Sequence, residues 1–297
     1  MVPPRSDRQF VLVTTSRDEC LEARLVLDAV GIPCEAVNQG SQWGLEVPVE
    51  HGARATTELA AYHQEKAERL RDRIARPVAY RGAAAAVGVY GGVLLLVAWL
   101  ASQSALGLDW RAAGRMEAGL VLDGQWWRVT TALTLHADAG HLLSNLIFGT
   151  VLGWFAGQIL GGGVAGLVIL AGGSLGNLIN AMVQAPTHTS IGASTAVFAA
   201  LGVGVANAWR TASSHAENPR RRFRPLVAGI VLLAFTGMGG ERTDVVAHLT
   251  GFLSGLFVGW IGCRLPGRWL ASSQVQYAAA LAAIALLAAA WVTGLLA

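Results

Sequence analysis

The chain has 297 residues, 53% of them hydrophobic and only 14% charged, with a formal net charge of +3. That composition lies outside the usual range of soluble domains and implies a membrane. The small charge, with arginines clustered beside apolar segments and no interleaved aromatics, excludes nucleic acid as a favoured partner. Cys20, Cys34 and Cys263 form neither an even set nor a CxxC pair, which argues against a disulfide framework and a zinc site.

Two solvents are implied along the chain, because 12 of the 19 Asp and Glu lie in residues 1–82. The brief apolar run 10–13 is bounded by polar residues and lacks the pattern of a cleaved signal peptide, so insertion is expected to rely on an internal segment. Residues 9–14 read as a strand and 17–30 as a helix with Leu21, Leu25 and Ala29 on one face, ended by Gly31 and Pro33. Residues 34–37 and 44–49 read as a strand pair around Asn38, Gln39 and Gly40, and 53–74 as a charged helix. The spacing predicts a small α/β domain over 1–76, either a ferredoxin-like fragment or a small regulatory unit. It holds no catalytic constellation, and composition points to tethering or to a cytoplasmic partner.

Arg69, Arg71, Arg73, Arg76 and Arg81 precede an apolar run at 83–101, close to the ~20 residues that cross ~30 Å of hydrocarbon. Further apolar segments at 142–160, 164–183, 194–209, 226–238, 245–263 and 277–296 bring the predicted spans to seven, two of them short. The connection between the first two is long enough to expect structure of its own, and its Trp126 and Trp127 read as interfacial anchors. The arginines before span one, the cluster Arg210, Arg220, Arg221, Arg222 and Arg224, and the pair Arg264 and Arg268 all fall on one side. That side is assigned to the cytoplasm. The opposite side carries Arg111, Arg115, Arg128 and Arg242 among Asp109, Glu117, Asp123, Asp138, Glu241 and Asp244 and is acidic on balance. The N-terminus is therefore cytoplasmic and the C-terminus outside.

Polar residues inside such spans are functional hypotheses. Span four opens with Gly192, Ala193, Ser194 and Thr195 and its apolar run of about 16 residues covers only ~24 Å of helix, so 185–193 is expected to dip inward and line a cavity. Ser194, at the first turn, would sit beside unpaired N–H groups and the positive end of the helix dipole, which suits a nucleophile and a developing oxyanion. Span six supplies a base, His248, heading a ladder of Gly251, Gly255 and Gly259 that invites close approach of span four through Gly202. Span two places His141 and Asn145 on one face, both able to donate hydrogen bonds to a carbonyl oxygen that gains charge. Taken singly, each has a bland alternative as a packing residue, but the assigned topology draws all four toward one leaflet.

Gly124-Gln125-Trp126-Trp127-Arg128, His136 with His141 and Asn145, Gly192-Ala193-Ser194 and Ala247-His248-Leu249-Thr250-Gly251 together resemble the motifs of the rhomboid family of intramembrane serine proteases, over residues 83–264. The resemblance implies a mainly α, polytopic bundle: a six-helix core at 83–264, one added C-terminal helix at 277–297, and the small α/β cytoplasmic domain in front. It implies Ser194 as nucleophile, His248 as base and then acid, and His141 and Asn145 with the Ser194 N–H as oxyanion donors. No cofactor or metal is implied. The implied partners are transmembrane protein substrates, cut in or near their membrane segments, and the bilayer itself, most naturally a bacterial inner membrane. Phe198 matches a position where the family often stacks a ring on the histidine. Thr195 departs from the glycine often found after the serine, and its β-branched side chain is expected either to widen the contact between spans four and six or to perturb water access. His188 and Asp244 match no family role. Two other readings are an inactive rhomboid-like protein that binds transmembrane clients, against which the retained Ser194 and His248 argue, and a proton-relaying transporter, against which the lack of an internal repeat argues.

Overall fold

A computed structural model describes residues 7–74, 79–215, 223–237 and 244–297. Arg76, the arginines at 220–222 and the pair Glu241 and Arg242, on which part of the charge argument rests, lie outside the described residues. The chain divides into two compact units, residues 1–77 and 78–297.

In the first unit the order is β1 (Arg8–Thr14), α1 (Arg17–Ala29), β2 (Glu35–Asn38), β3 (Trp43–Pro48) and α2 (Gly52–Ile74). β3 lies between β1 and β2 and is antiparallel to both, so β1-α1-β2 is a split βαβ unit, as in a ferredoxin-like fragment. The Ser16 side chain accepts the Glu19 N–H and starts α1, and Gly31, at φ 71°, ends the turn after it. Cys20, Ala23 and Leu27 of α1 then meet Leu45 and Val47 of β3 and Ala55 and Leu59 of α2 in one buried core. Glu22 ties the two helices together through Tyr62 and Lys66.

The second unit is a helix bundle. Among the described residues, five helices are long and apolar enough to cross a membrane: α3 (Ala83–Ser102), α7 (Ala139–Leu160), α8 (Gly162–Val183), α11 (Val245–Gly262) and α13 (Ser273–Leu296). α9 (Ser194–His215) and the shorter apolar α10 (Arg224–Gly237) complete the seven segments, and the four-residue α12 (Gly267–Leu270) leads into α13. Segment four corrects the sequence expectation. Its apolar run stops near residue 209, but the helix continues through polar residues to His215, for 22 residues or about 33 Å. A helix is propagated by its backbone bonds and needs no apolar surface to continue, and Thr211 adds a bond from its hydroxyl to the Asn207 carbonyl. Shortness alone therefore does not explain where its first turn sits.

Between lipid-facing helices there is little hydrophobic drive, so close backbone approach through small residues does the packing. The glycine ladder of α11 serves this purpose against α9. A Cβ at Gly251 would overlap the Thr195 carbonyl oxygen, one at Gly255 the Ala199 backbone, and one at Gly259 would lie 2.7 Å from Val203 Cα. Gly202 answers from α9, where a Cβ would overlap the Phe252 carbonyl. Thr195 does not widen this contact. It is buried, and its methyl sits over Gly176 of α8 and Gly251 of α11, two positions with no side chain to displace.

The connection between α3 and α7 is structured, with α4 (Trp110–Gly114), β4 (Met116–Glu117), α5 (Ala118–Leu122) and α6 (Arg128–Thr131). Arg128 is buried and holds the loop together by donating to the carbonyls of Ala112 and Arg115 at 2.9 and 2.8 Å and to Gln125 Oε1. The reading of both tryptophans as interfacial anchors holds for Trp126 at most, which is 52% exposed. Trp127 is buried, its indole N–H donating to the Ala113 carbonyl and its ring facing Gly294 of α13. β4 pairs with β5 (Thr189–Ser190), so this loop reaches the segment that enters α9.

α13 is fastened to the bundle at both ends. Gln276 Oε1 accepts the N–H groups of Gly163 and Val164, while its Nε2 donates to the carbonyls of Leu160 and Leu270, all at 2.9–3.0 Å. Near the other end, the Trp291 indole donates to Thr134 Oγ1 at 3.1 Å and packs on Trp110, ring centroids 4.8 Å apart.

Candidate active site

Ser194 is the first residue of α9, and the chain turns into it through Gly192, whose φ of 135° is a conformation that side-chain-bearing residues rarely adopt. Two bonds fix this turn: the Gly192 N–H donates to the Ala132 carbonyl at 2.9 Å, and the Ala193 N–H to His136 Nε2 at 3.4 Å. The missing side chain leaves room for chemistry. A methyl group on Gly192 would lie 2.7 Å from His141 Nε2 and 3.6 Å from Ser194 Oγ, so the imidazole and the hydroxyl border one small volume at the start of α9.

α7 supplies the opposite wall. Asp138 caps it by accepting the His141 N–H at 2.8 Å, which sets His141 in the first turn. Asn145 follows one turn later and is buried. Its Nδ2 donates to the His141 carbonyl at 3.1 Å, a bond within its own helix, and the second amide hydrogen is left for another acceptor. Tyr90 of α3 donates to the Asn145 carbonyl at 2.7 Å and braces the helix from behind.

His248 is buried near the start of α11, its ring tilted by 38° against Phe198 with centroids 4.5 Å apart. Phe198 lies one helical turn beyond Ser194, on the same face of α9, so the histidine stands on the side of α9 from which the serine projects. All four residues singled out in the sequence therefore gather at the starts of α7, α9 and α11.

His136 is the neighbour that sequence reasoning left without a role. It sits edge-on to His141 with centroids 5.1 Å apart and accepts from the residue before Ser194. Burial, with a smaller contribution from His141, pushes its pKa down to about 4, so the ring is neutral at physiological pH and Nε2 is free to accept. The spacing of five residues to His141 was the available signal. His188 and Asp244 are the second such pair: His188 Nε2 and Asp244 Oδ2 are 2.8 Å apart beside the entry to α9.

The family described as "Rhomboid domain" matches residues 123–265. The chain is 30% identical over 152 residues to "RHOMBOID-like protein 5" of Arabidopsis thaliana, covering 51% of this chain and 48% of that one. It is 28% identical over 150 residues to "Rhomboid protease GluP" of Bacillus subtilis (strain 168), covering 49% and 28%. It is 29% identical over 174 residues to "Rhomboid-like protease 2" of Toxoplasma gondii, covering 57% and 60%. The chain thus spans between about a quarter and three fifths of the length of these relatives. With five helices among the described residues long and apolar enough to cross a membrane and a match to the rhomboid domain, this is an integral, multi-pass membrane protein. Its residues 123–265 match the rhomboid domain family, and the relatives matched over about half of the chain carry rhomboid names.

Proposed function

We propose that the protein is an intramembrane serine protease that cleaves transmembrane proteins in or near their membrane segments through a Ser194–His248 dyad. The observation that carries this reading is the contact of the His248 ring with Phe198, one turn from Ser194, across a glycine-lined seam. In this mechanism His248 removes the Ser194 hydroxyl proton as Oγ bonds to the scissile carbonyl carbon. The carbonyl oxygen becomes an oxyanion, held by the Ser194 N–H at the start of α9, by His141 and by the free amide hydrogen of Asn145. Collapse of the tetrahedral intermediate breaks the C–N bond, and His248 returns its proton to the leaving amine. Water then attacks the acyl-serine with His248 again as base, releasing the new carboxyl terminus and restoring the hydroxyl. Phe198 holds the imidazole plane for each of these proton transfers.

The N-terminal α/β unit, residues 1–76, is proposed to be cytoplasmic, the C-terminus of α13 to lie outside, and the membrane core to extend over 83–264. The purified full-length protein, mixed in detergent with a reporter single-span substrate, is expected to release two fragments. Ser194→Ala is expected to release none. Binding of the reporter without cleavage by the wild type would instead identify a client-binding protein with no protease activity.

A further inference from the structure

The segment 185–193 delivers Ser194 to its place. Its bonds to the first loop are the β4–β5 pairing, the N–H groups of Ala118 and Gly119 to the carbonyls of His188 and Pro186 at 3.0 and 2.8 Å, Gly192 to Ala132, and Ala193 to His136. None of these reaches α11, which carries His248. The side chain of His188 does.

Asp244 is the N-cap of α11, and its Oδ1 accepts the Ala247 N–H at 3.0 Å while its carbonyl accepts the His248 N–H at 3.1 Å. Capping uses one carboxylate oxygen. The other, Oδ2, takes His188 Nε2 at 2.8 Å and Asn180 Nδ2 of α8 at 2.9 Å. Burial works to raise the Asp244 carboxyl, but the bonds from Ala247, His188, Asn180 and Ser190 outweigh it and hold it below the usual carboxylate range. The carboxylate is therefore ionised and can only accept, which makes His188 Nε2 a donor. Asn180 is fully buried, and its Oδ1 has no partner among the described residues, so the amide's contribution to this place is its bond to Asp244.

We propose that Asp244, His188 and Asn180 form a positioning centre that fixes the start of the His248 helix against the entry to Ser194 and so sets the alignment of nucleophile and base. The proposal rests on the dyad reading. A simple cap would need no more than Oδ1, and Asn or Ser would serve. The second oxygen joins three elements, the 185–193 segment, α8 and α11, within one turn of His248. Reacting groups must be held within a fraction of an ångström, since a displacement of about 1 Å lowers rate by ~10²-fold.

The test measures kcat and KM for the full-length protein with a reporter single-span substrate, alongside the rate of Ser194 labelling by a fluorophosphonate. His188→Ala is expected to lower kcat and the labelling rate by roughly tenfold to a hundredfold with KM unchanged. His188→Gln, which can still donate to Asp244, is expected to recover most of that loss. Asp244→Asn keeps a cap oxygen but turns an N–H toward the donors of His188 or Asn180; it should slow kcat similarly, and adding His188→Ala to it should slow it no further. Wild-type kcat in His188→Ala would overturn the proposal, as would a loss that His188→Gln does not relieve or losses that multiply in the double variant. If His188→Ala fails to fold, the Asp244→Asn and His188→Gln values decide on the same criteria. A wild type that neither cleaves nor labels defeats the dyad reading and this proposal together, whereas a cleaving wild type indifferent to His188 defeats this proposal alone.

Discussion

At the residue scale, the proposed mechanism gives four side chains unequal roles. In the proposed dyad Ser194 and His248 act as one unit, so Ser194→Ala and His248→Ala are each expected to abolish cleavage of a reporter substrate while the protein stays folded in detergent. Asn145 is one oxyanion donor among several, and Asn145→Ala is expected to lower kcat by ~10² to 10³ without abolishing it; an unchanged kcat would remove Asn145 from the site. His136 makes a separate prediction. Its pKa falls from an ordinary value of about 6.5 to about 4 on folding, so the unfolded chain binds the proton more readily between those values. Its contribution to stability is complete above pH 6.5 and is lost as pH falls toward 4, which thermal unfolding in detergent across that range would detect as a falling midpoint. The same scan on His136→Asn is expected to be flatter.

The four candidate residues Ser194, His248, His141 and Asn145 stood out in the sequence because each is a polar group in an apolar run, a pattern with few structural explanations. His188 and Asp244 did not. Their partnership joins residues 56 positions apart, and neither lies in a periodic segment that would reveal a shared face. The role of Trp127 was misread for a related reason. A tryptophan near a span is an anchor by composition, and only the path of α13 back over the loop shows that this one is enclosed.

At the scale of elements, the seam between α9 and α11 determines whether the site forms at all. The ladder at Gly251, Gly255 and Gly259 was readable from its four-residue spacing, and so was its partner through Gly202. A side chain at Gly255 would have to displace the Ala199 backbone, which cannot swing aside as a flexible side chain can. Gly255→Val is therefore expected to destabilise the protein by at least ~1 to 3 kcal/mol and to lower activity with it, as measured by thermal unfolding in detergent. Gly166→Ala on α8, where a Cβ would meet nothing within 4 Å, is the matched control and should leave the unfolding midpoint near that of the wild type. Helix ends were the least legible feature. α9 runs on to His215 because hydropathy marks where a helix meets lipid and carries no signal for where its hydrogen bonds stop.

At the scale of the molecule, α13 is bound as part of the bundle: Gln276 satisfies four backbone groups at the α7–α8 turn and before α13, and Trp291 closes over Thr134 and Trp110. Orientation is the other molecular claim, and it rests on arginine placement. In a Cys-free variant, a cysteine introduced by Ser213→Cys should be shielded from an impermeant thiol reagent in intact cells, while one introduced by Ala112→Cys should react. The reverse pattern would put the starts of α7, α9 and α11 on the cytoplasmic side. The most direct test of the central claim is to treat the purified full-length protein with a fluorophosphonate and map the adduct by peptide mass spectrometry. One stoichiometric adduct on Ser194 is expected, lost in Ser194→Ala and strongly slowed in His248→Ala. An adduct on another residue, or labelling that persists in Ser194→Ala, would contradict it.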